Sequence, residues 1–355
     1  DGFSQFNLED KNTEILNGQT DITVSYHESI VDAQNGTNAI VSPYINTIVN
    51  SQVNYDRLIN NITQCVNSTG SLDIVVNPLP TPIPPPVLES CDINNDGFTE
   101  FDISGVEAIV LGTQSGMTVS FHESQSDADS NVNPLNSPYN SIIPDLQELI
   151  VRMENDVTGC YATTMLTLQS NPVPEFISIS EYILCDYNNS GDESEQFDLS
   201  SKNTEIINGQ NTSISYHENQ TEAELGLNPI VGLYNNISNP QLLYVRLEDN
   251  LTGCANVGTF NLQVNPLPIL VNPSSLDVCD DGVPDGLTEI DLSVKDNEIR
   301  GGNSSYSITY YINQLDADMG VNQLSVPYTN TRNPQTIYVR GEDITTGCYS
   351  TTTLD

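Results

Sequence analysis

The sequence predicts an all-β protein built from tandem immunoglobulin-like β-sandwich repeats with short helical inserts, arranged as an elongated rod. Two observations lead to this fold class. The same residues recur along the chain at a period of 94 or 95, as shown by the separations between Arg57, Arg152, Arg246 and Arg340. Between them lie short runs of alternating polar and apolar residues that are bounded by turn residues, which is typical of sandwich strands.

The period divides the 355 residues into four repeats. A tyrosine column recurs with the arginines, and a Pro-rich linker follows each of the first three repeats. Asp1-Gly2-Phe3 matches the middle of the motif that opens a repeat, so we expect the numbered chain to begin inside a repeat, and the fourth repeat to be shortened at its end. The predicted repeats are 1–80, 87–172, 181–266 and 275–355, with linkers 77–86, 171–180 and 265–274.

Each repeat shows the same order of elements. A polar loop opens it, and a segment such as 198–209 follows, in which an Asp N-cap and a closing Asn-Gly predict helical turns. The alternating segment 23–27 predicts a strand, and 125–129 predicts a single helical turn. Two closing strands are predicted at 243–248 and 259–264, before a proline linker that ends the sheet.

Charge and composition limit the function classes. Nine basic residues face 48 acidic ones, so the formal net charge is −39. A surface this negative repels nucleic acid and anionic lipid, and no apolar run is long enough to span a membrane. The acidity suits either capture of divalent cations or simple dispersal of a secreted protein. We therefore expect neither a nucleic-acid partner nor membrane insertion.

The seven cysteines follow the repeat. Cys91, Cys185 and Cys279 are 94 residues apart, and each is followed 69 residues later by a second cysteine. Cys65 fits the scheme if its counterpart precedes Asp1. Regular cysteines in a secreted repeat predict disulfides, and we favour bonds within each repeat over bonds across each linker. The first scheme uses Cys91–Cys160, Cys185–Cys254 and Cys279–Cys348, and the second uses Cys65–Cys91, Cys160–Cys185 and Cys254–Cys279.

The opening loop of the second repeat is the best candidate for a ligand site. It places oxygen donors at alternate positions around a glycine turn, which suits a hard cation such as Ca²⁺; an ordinary Asx-rich turn is the alternative. No other cofactor is predicted. The candidate calcium ligands are Asp92, Asn94, Asp96, Glu100 and Asp102.

Two further columns are predicted to be structural. The histidines His27, His122 and His217 each precede a glutamate, but neighbouring strand residues point to opposite faces, so the pair does not converge. The arginine column either forms a ligand-binding row or, as we favour, bridges inside each repeat to an acidic residue, namely Asp102, Asp198 or Asp291. No catalytic motif is present, so we expect no enzyme activity and assign no catalytic residue.

Three motifs carry a resemblance to a known family: 91–102, 213–218 and 337–348. They resemble the repeats of large flavobacterial and other Bacteroidota cell-surface proteins that are associated with gliding motility and exported by type IX secretion. The resemblance implies an extracellular adhesin at the bacterial cell surface. Its implied partners are further repeats of the same chain, and the outer-membrane, secretion or motility machinery contacted through regions outside these residues.

The function that we predict is a structural stalk or filament segment of a secreted adhesin that acts in gliding motility or surface attachment. The alternative is a set of polysaccharide-binding modules with surface glycans as partners, although the chain has no Trp for an aromatic platform. A weaker third reading is the non-catalytic part of a secreted hydrolase. The adhesive target, the repeat number and the oligomeric state of a filament are not encoded in any of these patterns.

Overall fold

A computed structural model describes residues 1–280 and 282–355 and confirms the predicted all-β tandem immunoglobulin-like repeats with helical inserts. The chain divides into two compact units, one formed by residues 1–92 and 96–171, the other by residues 93–95 and 172–355. The rod-like arrangement stays a prediction.

The main sheets of repeats 2 and 3 contain an opening, a second, a third and a closing strand, whereas those of repeats 1 and 4, within the described residues, contain a second, a third and a closing strand. In repeat 3 the strand order is opening, closing, third and second, and repeat 2 has the same order. The opening strand Tyr182–Cys185 runs parallel to the closing strand and pairs Cys185 with Asn265, whereas the other pairs are antiparallel. The opening strand therefore ends beside the end of the closing strand, next to the following linker.

The strands have these bounds. Opening strands are Leu88–Asp92 and Tyr182–Cys185. Second strands are Ile22–His27, Met117–His122, Thr212–His217 and Tyr306–Tyr311. Third strands are Ser51–Asn60, Leu146–Asn155, Gln241–Asp249 and Ile337–Asp343. Closing strands are Tyr161–Pro172, Ala255–Asn265 and Tyr349–Leu354, and in repeat 1 the closing strand is split into Val66–Asn67 and Ser71–Val75.

A two-stranded ribbon faces the main sheet in each repeat. In each ribbon, an apolar residue of the first strand pairs with the recurring tyrosine of the second strand, as Phe197 does with Tyr234. Phe197 is fully buried. The ribbon strands are Gln5–Phe6 with Tyr44–Ile45, Glu100–Phe101 with Tyr139–Asn140, Gln196–Phe197 with Tyr234–Asn235, and Glu289–Ile290 with Tyr328–Thr329.

Two short helical inserts occur in each repeat, as predicted. Asp198 caps the first one by accepting the Ser200 backbone N–H, and Asn208 ends it in the left-handed conformation at φ 46°. The 3-10 helices are Leu8–Lys11, Leu199–Lys202 and Leu292–Lys295. The α-helices are Asn12–Leu16, Val106–Leu111, Asn203–Ile207 and Asp296–Ile299 in the first insert, and Ile30–Asn35, Gln125–Ser130, Gln220–Leu225 and Gln314–Met319 in the second.

Each repeat has its own core between the sheet, the ribbon and the first helix. In repeat 3 the third strand contributes Leu243, Val245 and Leu247, all fully buried. Alternate residues of that strand face the core because strand side chains point to opposite faces. Among the described residues, none of the helices combines the length and hydrophobicity that crossing a membrane requires.

Candidate functional site

Three of the predicted calcium ligands accept backbone hydrogen bonds from residues close to them in sequence. Asp92 is buried, and its Oδ2 accepts the Gly97 N–H at 2.5 Å. Asp96 accepts the Phe98 N–H, while Asp102 accepts hydrogen bonds from the Ser104 N–H and hydroxyl. These carboxylates hold turns and a helix start, which is the behaviour of an Asx-rich loop.

Within residues 1–280 and 282–355, no cluster of three or more His, Cys, Asp or Glu side chains is arranged to hold a metal ion. Glu100 lies in the ribbon opposite Asn140, and Asn94 lies in the same loop as Asp92. The pKa of Asp102 is lowered to about 2, chiefly by the hydroxyls of Ser104 and Ser137. Calcium binding at this loop stays a prediction.

The histidine column has a structural role. His122 is fully buried, with Nδ1 at 2.8 Å from the Val132 carbonyl and Nε2 at 2.8 Å from the Ser120 hydroxyl. Because a carbonyl only accepts, Nδ1 carries a proton and Nε2 accepts from the serine. His27 and His217 repeat the arrangement. Each histidine thus ties the second strand to the residues after the second helix.

The arginine column also acts within the repeat, but the predicted bridge to Asp102, Asp198 or Asp291 is wrong. Arg340 binds Glu342 through Nε and Nη2, at 3.0 and 2.7 Å. Its Nη1 donates to the carbonyls of Ala317 and Asp318 at the second helix.

Arg152 and Arg246 make equivalent contacts with Glu154 and Glu248. Two residues apart on a strand, arginine and glutamate share a face, whereas the predicted aspartates are used in helix caps, as Asp198 and Asp291 show.

A tyrosine directly after the second cysteine completes this cluster in two repeats. The guanidinium carbon of Arg152 lies 3.4 Å from the ring centre of Tyr161, and that of Arg340 lies 3.4 Å from the ring centre of Tyr349. Stacking of this kind is favourable for arginine. In repeat 3 the position is Ala255. We call Arg340, Glu342 and Tyr349, with their equivalents, the arginine platform.

The described disulfide joins repeat 3 to repeat 4. Cys185 is bonded to Cys348 across 163 residues, with the Cα atoms 5.7 Å apart. The predicted bond Cys185–Cys254 within repeat 3 is therefore wrong, and so is Cys279–Cys348. The alternative across each linker is also wrong, because Cys279 and Cys160 are free.

The strand layout explains why a repeat does not bond its own two cysteines. Cys185 pairs with Asn265 at the end of the closing strand, whereas Cys254 directly precedes that strand at Ala255. An eleven-residue strand separates the two sites by about 30 Å. A disulfide needs Cα atoms within about 7 Å, so the partner must come from another repeat.

The remaining cysteines follow the same spacing. Cys91 and Cys254 are both disulfide-bonded, and their separation of 254 − 91 = 163 equals that of Cys185 and Cys348. Cys65, Cys160 and Cys279 are free. Of the six cysteines predicted to form disulfides, Cys160 and Cys279 are thus unbonded.

The repeat 3–repeat 4 junction adds non-covalent contacts to the bond. Cys348 is fully buried, and its Sγ lies 4.0 Å from the Asn265 carbonyl. Tyr187, two residues after Cys185, places its ring centre 5.5 Å from that of Tyr349. The opening loop of repeat 3 therefore sits on the arginine platform of repeat 4. Partial burial there raises the pKa of the Tyr187 hydroxyl.

The equivalent residue of the preceding loop makes a related contact. Ile93, two residues after Cys91, lines a cleft with Tyr244, Arg246 and Ala255 of repeat 3. Sequence reasoning missed this pairing of loop and platform. The spacing of 163 residues between a first cysteine and the second cysteine of the next repeat was visible in the sequence. No local feature of the sequence favoured it over the spacing of 69 residues between the two cysteines of one repeat.

A family model described as "Flavobacterium inter-domain disulphide bond domain" matches four segments, 1–80, 87–174, 181–268 and 275–355. No curated protein matches the chain.

Among solved structures, the titin I-band fragment I67–I69 matches with 9% identity and a TM-score of 0.26, covering 77% of this chain and 95% of the fragment. Drosophila N-cadherin EC1–4 matches with 10% identity and a TM-score of 0.19, covering 95% of this chain and 92% of that one. At these scores the likenesses carry no argument about function.

Proposed function

The chain belongs to the Flavobacterium inter-domain disulphide bond family, and from this membership and its cross-linked repeats we propose that it is a structural stalk segment of a large extracellular protein. The observation that carries the proposal is the Cys185–Cys348 bond, which joins two separately folded repeats. Disulfides persist in oxidising compartments outside the cytosol, which supports the extracellular placement.

The bond limits how far the stalk can extend under tension. The 163 residues between Cys185 and Cys348 form a closed loop, so a pulling force passes through the sulfur atoms and does not straighten them. In the chain-entropy model, closing a loop of this length stabilises the folded pair by about 5 kcal/mol. A segment that spaces and displays other domains benefits from both effects.

The finer role that we propose is the stalk of a cell-surface adhesin that acts in gliding motility or attachment and is exported by type IX secretion. The motifs of the opening loop and the third strand support it through their resemblance to such proteins. The net charge of −39 supports it as well, because like-charged stalks repel one another. We propose that the segment has no catalytic activity, and that adhesion and anchoring reside in other regions.

Single-molecule stretching of the 355-residue chain between its two ends tests the stalk proposal. We expect the oxidised chain to reach a fully stretched length at least about 550 Å shorter than the reduced chain, since 163 residues at 3.3–3.6 Å each stay closed. The variant in which all four bonded cysteines, Cys91, Cys185, Cys254 and Cys348, are replaced by serine is the matched control and should regain this length without reductant. Equal lengths for oxidised and reduced chains would contradict a load-bearing bond.

A further inference from the structure

The disulfides follow one register, in which the first cysteine of a repeat is joined to the second cysteine of the next. Cys185 and Cys348 show it directly. The bonded state and equal spacing of Cys91 and Cys254 agree with it. The register arises because the opening strand ends beside the linker, where the next repeat begins.

The free cysteines agree with the same register. Cys65 and Cys160 are second cysteines of repeats 1 and 2, and Cys279 is the first cysteine of repeat 4. In this register, no position within residues 1–355 is the counterpart of any of the three. Cys160 shares a cleft with Asp1, Gly2 and Asn77, and Asn77 is the counterpart of Asn265, which Cys348 contacts. Repeat 2 thus presents its cysteine to the opening loop of repeat 1.

This register has a topological consequence for the linkers. The linker 265–274 lies between Cys185 and Cys348, which are bonded to each other. A peptide bond cut inside this loop leaves two pieces that are still joined through sulfur. We propose that the disulfides give the chain covalent redundancy, so that an extracellular endoprotease can cut a spanned linker without severing the molecule.

The linker between repeats 3 and 4 is the exposed point at which such a cut would fall. Ile269 is 82% exposed, and exposed linker residues are preferred sites of proteolysis. Beyond it the chain is already held by repeat 4: Leu270 packs against the core, and the Val271 N–H donates to the Ile299 carbonyl at 2.9 Å. A cut at Ile269 therefore leaves the folded parts of both repeats in place.

The biological value of the redundancy rests on the proposed stalk function. The experiment that tests the redundancy measures only whether the cleaved pieces remain covalently joined. A recognition sequence for a specific endoprotease is inserted into the full chain between Pro268 and Ile269. After complete cleavage we expect one band of full mass in a non-reducing denaturing gel and two fragments after reduction. Two fragments without reductant would overturn the proposal for that linker.

The chain offers a matched control in its first linker. The segment 77–86 lies outside both the 91–254 and the 185–348 intervals, so the same insertion between Leu79 and Pro80 should give two fragments with or without reductant. Adding Cys185→Ser and Cys348→Ser to the Pro268 insertion should likewise release the last repeat without reductant. A single full-mass band from this last variant would show that something other than this bond joins the pieces, which also overturns the proposal.

The two tests can fail separately. If the cleaved chain stays joined but its stretched length is the same in both redox states, the disulfide register stands and the stalk proposal fails. If the chain is severed at Ile269 without reductant but its stretched length differs between the two redox states, the stalk proposal stands and the redundancy proposal fails.

Discussion

Repeats 1 and 2 have third strands of equal length but different cores. In repeat 2 the inward-facing residues Leu149 and Val151 are fully buried. Repeat 1 has Asn54 and Asp56 at the same places, 0% and 6% exposed. Eleven buried hydrophobic residues form the core cluster of repeat 2, against four in repeat 1, so repeat 1 has much less apolar burial to stabilise it.

The polar residues of repeat 1 are incompletely satisfied. Asn54 Nδ2 and Asp56 Oδ1 are buried without a hydrogen-bond partner, and the carboxylate of Asp56 packs against Gly70, where the closing strand is interrupted. Unpaired buried polar groups cost free energy. The same repeat fold therefore accommodates cores of very different stability. Neighbouring repeats of one chain can differ in the free energy needed to unfold them.

The largest effect is expected from moving the aspartate into repeat 2. Val151→Asp places an unpaired carboxyl group in a full apolar core and should destabilise repeat 2 by about 4 kcal/mol. Val151→Ala, the control for lost volume, should cost about 2 kcal/mol. Hydrogen exchange, read separately on the peptides of each repeat in the whole chain, measures both. Equal costs for the two variants would mean that polarity does not distinguish the repeats.

The reverse change in repeat 1 should have a smaller effect of opposite sign. Asp56→Val removes the buried carboxylate and should stabilise repeat 1 by about 1–2 kcal/mol, seen as slower exchange of its strand amides. Asp73→Val removes the same charge from an exposed position of the closing strand and is the matched control, for which little change is expected. If both variants protect repeat 1 equally, the cause is net charge and not burial.

The smallest effect is a dependence of that gain on pH. Burial raises the pKa of Asp56 above its ordinary value, so the native state holds the proton more tightly than the unfolded state. The contribution of Asp56 to stability is then greatest below about pH 4, the ordinary pKa of an aspartate, and is lost as the pH rises through the raised pKa.

The advantage of Asp56→Val over the parent chain should consequently be larger at pH 7 than at pH 4, which hydrogen exchange corrected for pH can measure. An advantage that grows on acidification would show the opposite shift of the pKa.

The sequence by itself determined the repeat period, the all-β class, the helix caps such as Asp198, and the existence of a structural arginine column. These features depend on contacts within a few residues or on recurrence, which the chain shows directly. It also indicated that cysteines would form disulfides, because their positions recur with the repeat.

Only the tertiary structure decided which cysteines join and what the arginines bind. The parallel opening strand carries Cys185 to the far end of the closing strand from Cys254, and no local pattern reveals the direction of that strand. Likewise, Arg340 binds Glu342 because the two side chains lie on the same face of their strand. Asp291 does not bind Arg340 because its carboxylate caps a helix start. The cysteine pairing depends on distances between segments far apart in sequence, which spacing does not contain. The glutamate that binds the arginine is only two residues away, but the sequence alone does not show that the helix start already occupies the aspartate.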